Sequence, residues 1–291
     1  MDQSKNIIIR SIQNFSNKFF NDEIHSYVLF ARCFIKFQWS INRNKTSTMY
    51  TDNLDNINNY EYRISSQNNE DGIIEHIFSK IPNNKNFIEI GIGYYEFNTL
   101  NLIKNNWTGV LLERDNEECL ATKKLIRFFY PKSNVTIVKK NINRDNINDI
   151  INDNKKNQEI DFFSLDIDGN DYWVLKNIDL SKIKCVCLEY NHWIGANVKK
   201  TIPYDENFKF VDNGFFGASL LAFNDLMEKK QFKLIAIESS GTNAFFVQNK
   251  YSHLFETLDP IKSFKSTGRL YPESKKKEIF NKINDYNFTD I

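Results

Sequence analysis

The sequence predicts an α/β fold built on a seven-stranded, mostly parallel sheet that closes with an antiparallel hairpin. From about residue 70 onward, short apolar runs alternate with longer amphipathic stretches, as expected where helices cover both faces of a sheet. The last two apolar runs are joined only by residues 238–243, too few for a crossover helix, so these strands should pair antiparallel. The predicted strands are 87–90, 109–113, 135–138, 160–166, 184–189, 232–237 and 244–247.

The stretches between the first five strands suit crossover helices, and both ends of the chain carry helical patterns outside the sheet. We therefore expect a helical N-terminal extension (1–65), a sheet domain (66–250) and a C-terminal helical extension (251–291). The crossover helices are predicted at 96–106, 117–129, 146–152 and 171–177, a further one from near Ala218, and the C-terminal ones at 254–257 and 272–287.

Composition excludes several classes of protein. The 38 Lys and Arg residues nearly balance the 37 Asp and Glu residues, so the chain has no basic field to gather nucleic acid or anionic lipid. The longest apolar stretch near the start, residues 27–31, is far short of the ~20 residues that cross a bilayer. The 4 cysteines form no CxxC pair, which argues against a disulfide framework or structural zinc site. We expect a cytoplasmic protein without a membrane span.

The first strand leads into a glycine-containing turn, with Glu89, Gly91 and Gly93 directly before a helix. Glycines at this point let the backbone approach a ligand at the switch point of the sheet. Residues 94–96 continue as Tyr-Tyr-Glu, so the GxGxxG motif of dinucleotide-binding proteins is absent. Glycines also close ordinary strand-to-helix turns, and the turn alone is a weak indication of a cofactor site.

Two further residues follow the next strands at the same edge. Glu113 ends the second strand about 20 positions beyond the glycine turn, where a carboxylate can accept hydrogen bonds from both ribose hydroxyls. Asn141 follows the third strand, where an amide can meet an adenine edge. Alternatively, Glu113 is a solvated glutamate at a strand end, and Asn141 has no functional role in a chain that is rich in asparagine.

The fourth and fifth strands carry the densest polar group. Asp166 and Asp168 end a strand expected to be buried on both faces, and Glu189, Asn191 and His192 follow the neighbouring strand. Paired carboxylates there need a cation, a shared proton or a bound polar ligand. A turn or helix cap explains Asp168 but not Asp166. We therefore expect one crevice with Asp166, Asp168 and His192 as catalytic candidates.

Together these motifs resemble S-adenosylmethionine-dependent methyltransferases of class I, and more narrowly the FkbM-like methyltransferases. The resemblance rests on residues 87–93, 112–115, 164–169 and 187–189, with 66–72 and 239–247 also similar to segments of that group. Asp168 stands where the family has glutamate. The resemblance covers about residues 66–250 and implies a Rossmann-like methyltransferase sheet. It also implies bound S-adenosylmethionine, with Glu89, Gly91, Gly93, Glu113 and Asn141 as cofactor-binding residues.

The resemblance further implies methyl transfer to a hydroxyl group of a small molecule or glycan. Oxygen ligands from Asp166, Glu189 and Asn191 would suit Mg²⁺ or Mn²⁺, while a metal-free version uses an aspartate and His192 for the proton. The alternative class is a non-catalytic binding module for a glycan or protein partner, since a fold does not imply activity. Nucleic-acid methylation is disfavoured because the chain has neither a (D/N)PPY-type motif nor net basic charge.

Overall fold

The computed structural model describes residues 56–93, 97–155, 159–266 and 271–291, together with Ala31. Its centre is a seven-stranded sheet, whose strands lie in the order β3 (Val135–Lys139), β2 (Thr108–Glu113), β1 (Asn86–Ile90), β4 (Ile160–Leu165), β5 (Ile183–Glu189), β8 (Asn243–Gln248) and β7 (Phe232–Ile237). Only β8 runs antiparallel to its neighbours. The predicted α/β fold, with its closing hairpin, is confirmed. Most of the helical extension expected at 1–65 lies outside the described residues, which include Ala31 and the residues from 56 onward.

The elements follow the alternation that the sequence predicts. In chain order they are α1 (Glu70–Lys80), β1 (Asn86–Ile90), α2 (Leu100–Lys104), β2 (Thr108–Glu113), α3 (Asn116–Phe129), β3 (Val135–Lys139), α4 (Ile147–Lys155), β4 (Ile160–Leu165), α5 (Asp171–Asn177), β5 (Ile183–Glu189), β6 (Lys200–Thr201), α6 (Leu220–Lys229), β7 (Phe232–Ile237), β8 (Asn243–Gln248), α7 (Glu273–Lys282) and β9 (Thr289–Asp290). Every helix among the described residues is too short or too polar to span a bilayer.

The core lies on both faces of the sheet because the parallel strands alternate two sets of apolar side chains. Phe163 and Val186 pack into one cluster, with helix α6 over it. Phe162 and Cys185, one position along each strand, pack into the opposite cluster with helix α1. The period of two residues therefore fills two cores from one sheet. Cys185 and Cys187 are buried free thiols, as expected.

Two predicted helices differ in the structure. The helix expected at 96–106 begins only at Leu100, because the backbone N–H groups of Asn98 and Thr99 donate to the Glu89 carboxylate. The helix expected at 254–257 does not form. A short 3₁₀ helix ends at Leu254, and the chain then extends so that the Leu258 N–H donates to the Leu234 carbonyl of β7.

The C-terminal segment (residues 271–291) packs against the long connection between β5 and α6 (residues 190–219). Strand β9 pairs antiparallel with β6, which was not predicted from the sequence. Around it, Trp193 and Phe216 form a small core with Ile279 and Ile283 of the C-terminal segment. The C-terminal segment is therefore held to this connection both by backbone pairing and by a small apolar core.

The turn after β1 generates a test of the fold. Gly91 has φ +80°, and a Cβ atom there would lie 1.4 Å from the Asp166 carbonyl oxygen. Gly195 has φ +93° with nothing within 4 Å of such an atom. Alanine at either position costs about 1–3 kcal/mol for the backbone conformation. We expect Gly91→Ala to lower the free energy of unfolding by at least about 3 kcal/mol more than Gly195→Ala. Urea unfolding measures both, and equal losses would contradict the packing described here.

Candidate active site

A single cavity of about 430 Å³ runs along the carboxyl edge of the sheet. It begins beside Glu113 and Asn141 at the ends of β2 and β3, passes the glycine turn after β1, and reaches the acidic group after β4 and β5. Of the residues predicted for the site, eight line it: Glu89, Gly91, Gly93, Glu113, Asn141, Asp166, Asp168 and Glu189. Asn191 and His192 are not among the lining residues.

Glu89 organises the chain that follows the glycine turn. One carboxylate oxygen accepts from the Asn98 N–H at 2.8 Å, and the other accepts from the Thr99 N–H at 3.0 Å and the Thr99 hydroxyl at 2.5 Å. Burial raises the pKa of Glu89 to about 7. Both oxygens are thus already engaged in positioning the start of α2 (Leu100–Lys104).

Glu113 holds the loop on each side of the predicted ribose position. Its two carboxylate oxygens accept the backbone N–H groups of Ile92, at 3.1 Å, and of Asp115, at 2.8 Å. Each carboxylate oxygen can accept a second hydrogen bond, so ligand hydroxyls can still be bound. Asp115 caps helix α3 through the N–H groups of Glu117 and Glu118.

Glu118 is a lining residue that the sequence reasoning missed. It lies on the first turn of α3, half-buried in the same cavity as Glu113. Burial, together with the nearby charges of Glu113 and Asp115, raises its pKa to about 8. Glu118 follows Glu113 by five residues, and this spacing could have suggested that both lie near the same site. The spacing alone does not show which side of the helix faces the cavity.

Three carboxyl groups meet where β4 and β5 end. Oxygen atoms of Asp166, Asp168 and Glu189 all lie within 4.8 Å of one another. Burial and the neighbouring aspartates raise the pKa values of both Asp166 and Glu189 well above their usual range. Burial and Asp171 raise the pKa of Asp168 to about 6. Carboxyls this close together are stabilised by a shared proton or by a bound cation.

Asp171 fixes the loop that presents these acids. Its two carboxylate oxygens accept the backbone N–H groups of Ile167 and Gly169, each at 2.8 Å. The loop bends sharply, with Asp168 in the left-handed region at φ 54°. Asp171 is therefore the turn-forming residue, and Asp168 is turned into the cavity with Asp166.

The structure does not bring Asn191 into the acidic group. Its amide donates to the carbonyls of Gly214 and Phe216, each at 2.8 Å, and its oxygen accepts from the Trp193 N–H at 2.9 Å. These bonds use the side chain to anchor the connection after β5. The expected metal ligand Asn191 is thus engaged in local structure.

His192 also lies away from the cavity lining. It is 7% exposed, and its ring lies 4.4 Å from the Trp193 ring and 6.4 Å from the Tyr271 ring between centroids. Burial lowers its pKa to about 4, so the imidazole is neutral at pH 7. Aromatic surroundings, which the sequence after β5 does not reveal, decide this placement.

The connection after β5 crosses the open side of the cavity, and polar contacts tie its tip down. The Asn170 side chain donates to the Asp205 carbonyl at 2.7 Å, and the Asn143 side chain donates to Glu206 at 3.1 Å. Phe208 lines the cavity and contacts Gly169 so closely that a Cβ atom there would lie 2.5 Å from its ring. The tip is therefore fitted to the loop that carries Asp168.

Residues 81–216 match the model of the methyltransferase FkbM domain. No curated protein matches the chain. Among solved structures, the N-terminal domain of EvdMO1 with SAH bound is 9% identical with a TM-score of 0.43, covering 73% of this chain and 94% of that chain. An S-adenosylmethionine-dependent methyltransferase from Clostridium acetobutylicum ATCC 824 is 10% identical with a TM-score of 0.39, covering 62% and 90%.

The matched segment, a little under half of the chain, agrees with the resemblance to FkbM-like methyltransferases that the sequence motifs indicated. The sheet order is that of the predicted Rossmann-like fold. All the residues predicted for the site lie within the matched segment. Gln67, Asn243 and the C-terminal segment lie outside it.

The raised pKa of Glu118 predicts a pH dependence of stability. In the unfolded chain this carboxyl ionises near pH 4.5, whereas in the folded protein it keeps its proton until about pH 8. Stability should therefore fall as the pH rises from 5 to 8, because the folded state binds more protons. We expect Glu118→Gln to reduce this fall in ligand-free protein, as measured by urea midpoints across the pH range.

The matched control is Glu256→Gln, which replaces an exposed glutamate. This control should reproduce the wild-type pH dependence. If Glu118→Gln did the same, the buried, protonated state of Glu118 would be excluded.

Proposed function

We propose that the protein is an S-adenosylmethionine-dependent O-methyltransferase that acts on a hydroxyl group of a sugar or glycan. The observation that carries this proposal is the continuous cavity from Glu113 to the Asp166, Asp168 and Glu189 carboxyls. A methyl donor held along it would meet an acceptor at the acidic end. Methyl transfer requires chiefly that the two reacting atoms be held in line at close range.

The charge of the cavity supports this donor. Eight acidic side chains line it against two basic ones, Arg114 and Lys140. The acidic residues are Glu89, Glu113, Asp115, Glu118, Asp166, Asp168, Glu189 and Glu206. Several of these groups have raised pKa values, so a cationic ligand would stabilise their ionised forms, whereas the pyrophosphate of a dinucleotide would meet unfavourable charge. Bound S-adenosylmethionine supplies an electrophilic methyl group on a positively charged sulfur.

Each predicted cofactor residue has a position consistent with its role. Asn141 and Glu113 both line the cavity, at the ends of β3 and β2, where the adenine edge and the ribose hydroxyls would bind. The backbone from Gly91 to Gly93 approaches the middle of the cavity, because Gly91 has no side chain between β1 and the Asp166 carbonyl. Glu89 acts indirectly, since its carboxylate positions Asn98 and Thr99.

The Asp166–Glu189 pair is the proposed proton acceptor. In this proposal the pair shares one proton, which leaves one of its carboxyls ionised and able to take the proton of the acceptor hydroxyl. Asp166 Oδ1 is buried and has no hydrogen-bond partner among the described residues, so it can accept that bond. His192 is a poorer candidate because it does not line the cavity.

Aromatic side chains near the acidic end suit a sugar ring. Phe208 lines the cavity beside Asn170. Tyr204, nearby along the same connection, has the Arg144 guanidinium 3.9 Å above its ring. We infer that the connection over residues 198–217 forms the acceptor wall.

A divalent cation fits the same acids in part. Asp166, Asp168 and Glu189 would hold it through oxygen atoms, which suit Mg²⁺ or Mn²⁺, and it would lower the pKa of a bound hydroxyl. The side-chain oxygen of Asn191 accepts the Trp193 N–H instead. The proton-sharing version needs no further ligand and is the one we favour.

Asp166→Asn tests the proposed base. The variant keeps the shape of the side chain and loses its charge, so methyl transfer should fall by ~10²-fold or more while cofactor affinity is largely retained. His192→Gln should keep the rate within about threefold of wild type. Initial rates of methyl transfer to a panel of nucleotide sugars and oligosaccharides, with calorimetry for cofactor binding, provide the readout. The opposite ranking of the two variants would assign the proton transfer to His192.

The same assay separates the remaining alternatives. Full activity in EDTA eliminates the metal, whereas activity lost in EDTA and restored by Mg²⁺ or Mn²⁺ supports it. A folded protein that binds no S-adenosylmethionine would overturn the proposed enzyme and leave the binding module.

A further inference from the structure

Two segments outside the matched domain meet at one end of the cavity. Residues 66–70 lead into α1 (Glu70–Lys80), and residues 238–243 form the turn between β7 and β8. The Asn69 side chain donates to Glu238 at 2.9 Å, and the Asn243 side chain donates to Glu70 at 2.8 Å. Gln67 and Asn243, one from each segment, line the cavity.

Two carboxyl groups are buried at this junction without an ion-pair partner among the described residues. Glu70 and Glu238 are each 0% exposed, and neither forms an ion pair within the described part of the chain. Glu89 is also buried, at 2% exposed. Burial raises the pKa of Cys187 well above its usual range, and the charges of Glu70 and Glu89 add to this rise, so both carboxyls lie near Cys187. Burial and Glu238 raise the pKa of Glu70 to about 7. A nearby cation would stabilise such a group.

Asn243 connects this junction to the cavity. The residue is 4% exposed, and its amide nitrogen is fixed by Glu70. Among the described residues, the hydrogen bond of the Asn243 side chain is the one its amide nitrogen donates to Glu70, and the residue lines the cavity with its side-chain oxygen available as an acceptor. Its backbone pairs with that of Glu189 across the β5–β8 ladder, so both side chains lie at the same level of the sheet. An amide oxygen held this way accepts a hydrogen bond from a cationic donor.

We propose that Asn243 accepts a hydrogen bond from the α-ammonium group of the methionine portion of the cofactor, and that Glu70 is the positioning residue that orients its amide. The proposal rests on the proposed function, because it deepens the assignment of the cofactor cavity. The ammonium group would also place a positive charge near the buried carboxyls of this junction.

Calorimetry with three ligands tests the assignment. The ligands are S-adenosylhomocysteine, its decarboxylated amine analogue, and 5′-methylthioadenosine, which lacks the amino-acid portion. Asn243→Ala should weaken the two amine-bearing ligands by about tenfold or more and leave 5′-methylthioadenosine within about twofold. Glu70→Gln, which offers an amide in place of the acceptor, should give the same pattern with a smaller loss. Glu113→Ala is the matched contrast and should weaken all three ligands alike.

The outcomes separate this inference from the proposed function. An equal loss for all three ligands in Asn243→Ala would show a structural role and overturn the inference, as would no loss at all. Wild-type protein that binds none of the three ligands would overturn the proposed function itself. If Asn243→Ala did not fold, Asn243→Ser would replace it, because serine keeps an oxygen acceptor of smaller reach and should show the same loss for the amine-bearing ligands. Glu70→Gln provides a second test. If it kept the wild-type preference for the amine-bearing ligands, the inference would be overturned.

Discussion

The backbone contact between Gly91 and Asp166 determines where the cavity lies. The Asp166 N–H donates to the Ile90 carbonyl at 3.0 Å, and the Gly91 N–H donates to the Leu112 carbonyl at 2.9 Å. These bonds hold the ends of β2, β1 and β4 at one level. The missing side chain of Gly91 lets the turn fold back against the Asp166 carbonyl, so that the cofactor turn and the acidic group share one space.

Buried acids are the electrostatic consequence of that arrangement. Asp166 and Glu189 are brought together in a poorly solvated position, where burial and the neighbouring carboxylates raise the pKa values of both. The fold tolerates this because Asp171 secures the loop through backbone N–H groups, which stabilise it without neutralising the pair. Buried acids with pKa values raised by their neighbours are common at functional sites. Here they lie next to the position proposed for a cationic methyl donor.

The C-terminal segment adds a second layer to the site. Tyr271 lies 5.2 Å from Trp193 between ring centroids, and Phe215 contacts the rings of Tyr286 and Phe288. The pairing of β9 with β6 fastens this aromatic group to the connection after β5. The connection after β5, which contributes Glu206 and Phe208 to the cavity, is therefore supported by residues far apart in sequence.

The sequence by itself determined the sheet, the glycine turn and the acids that follow β2, β4 and β5. These are local patterns: apolar runs of fixed period, a glycine before a helix, and carboxylates where buried strands end. Most of the resulting site residues do line one cavity. The family resemblance added the class of cofactor, which no local pattern specifies.

Only the tertiary structure decided which neighbouring polar residues enter the cavity. Asn191 and His192 follow Glu189 directly, yet one anchors the Gly214 and Phe216 carbonyls and the other packs among aromatic rings. Glu118 and Asn243 enter the cavity instead, through the orientation of α3 and the register of the β5–β8 ladder. The physical reason is that adjacent residues leaving a strand point in different directions, and long-range packing fixes those directions.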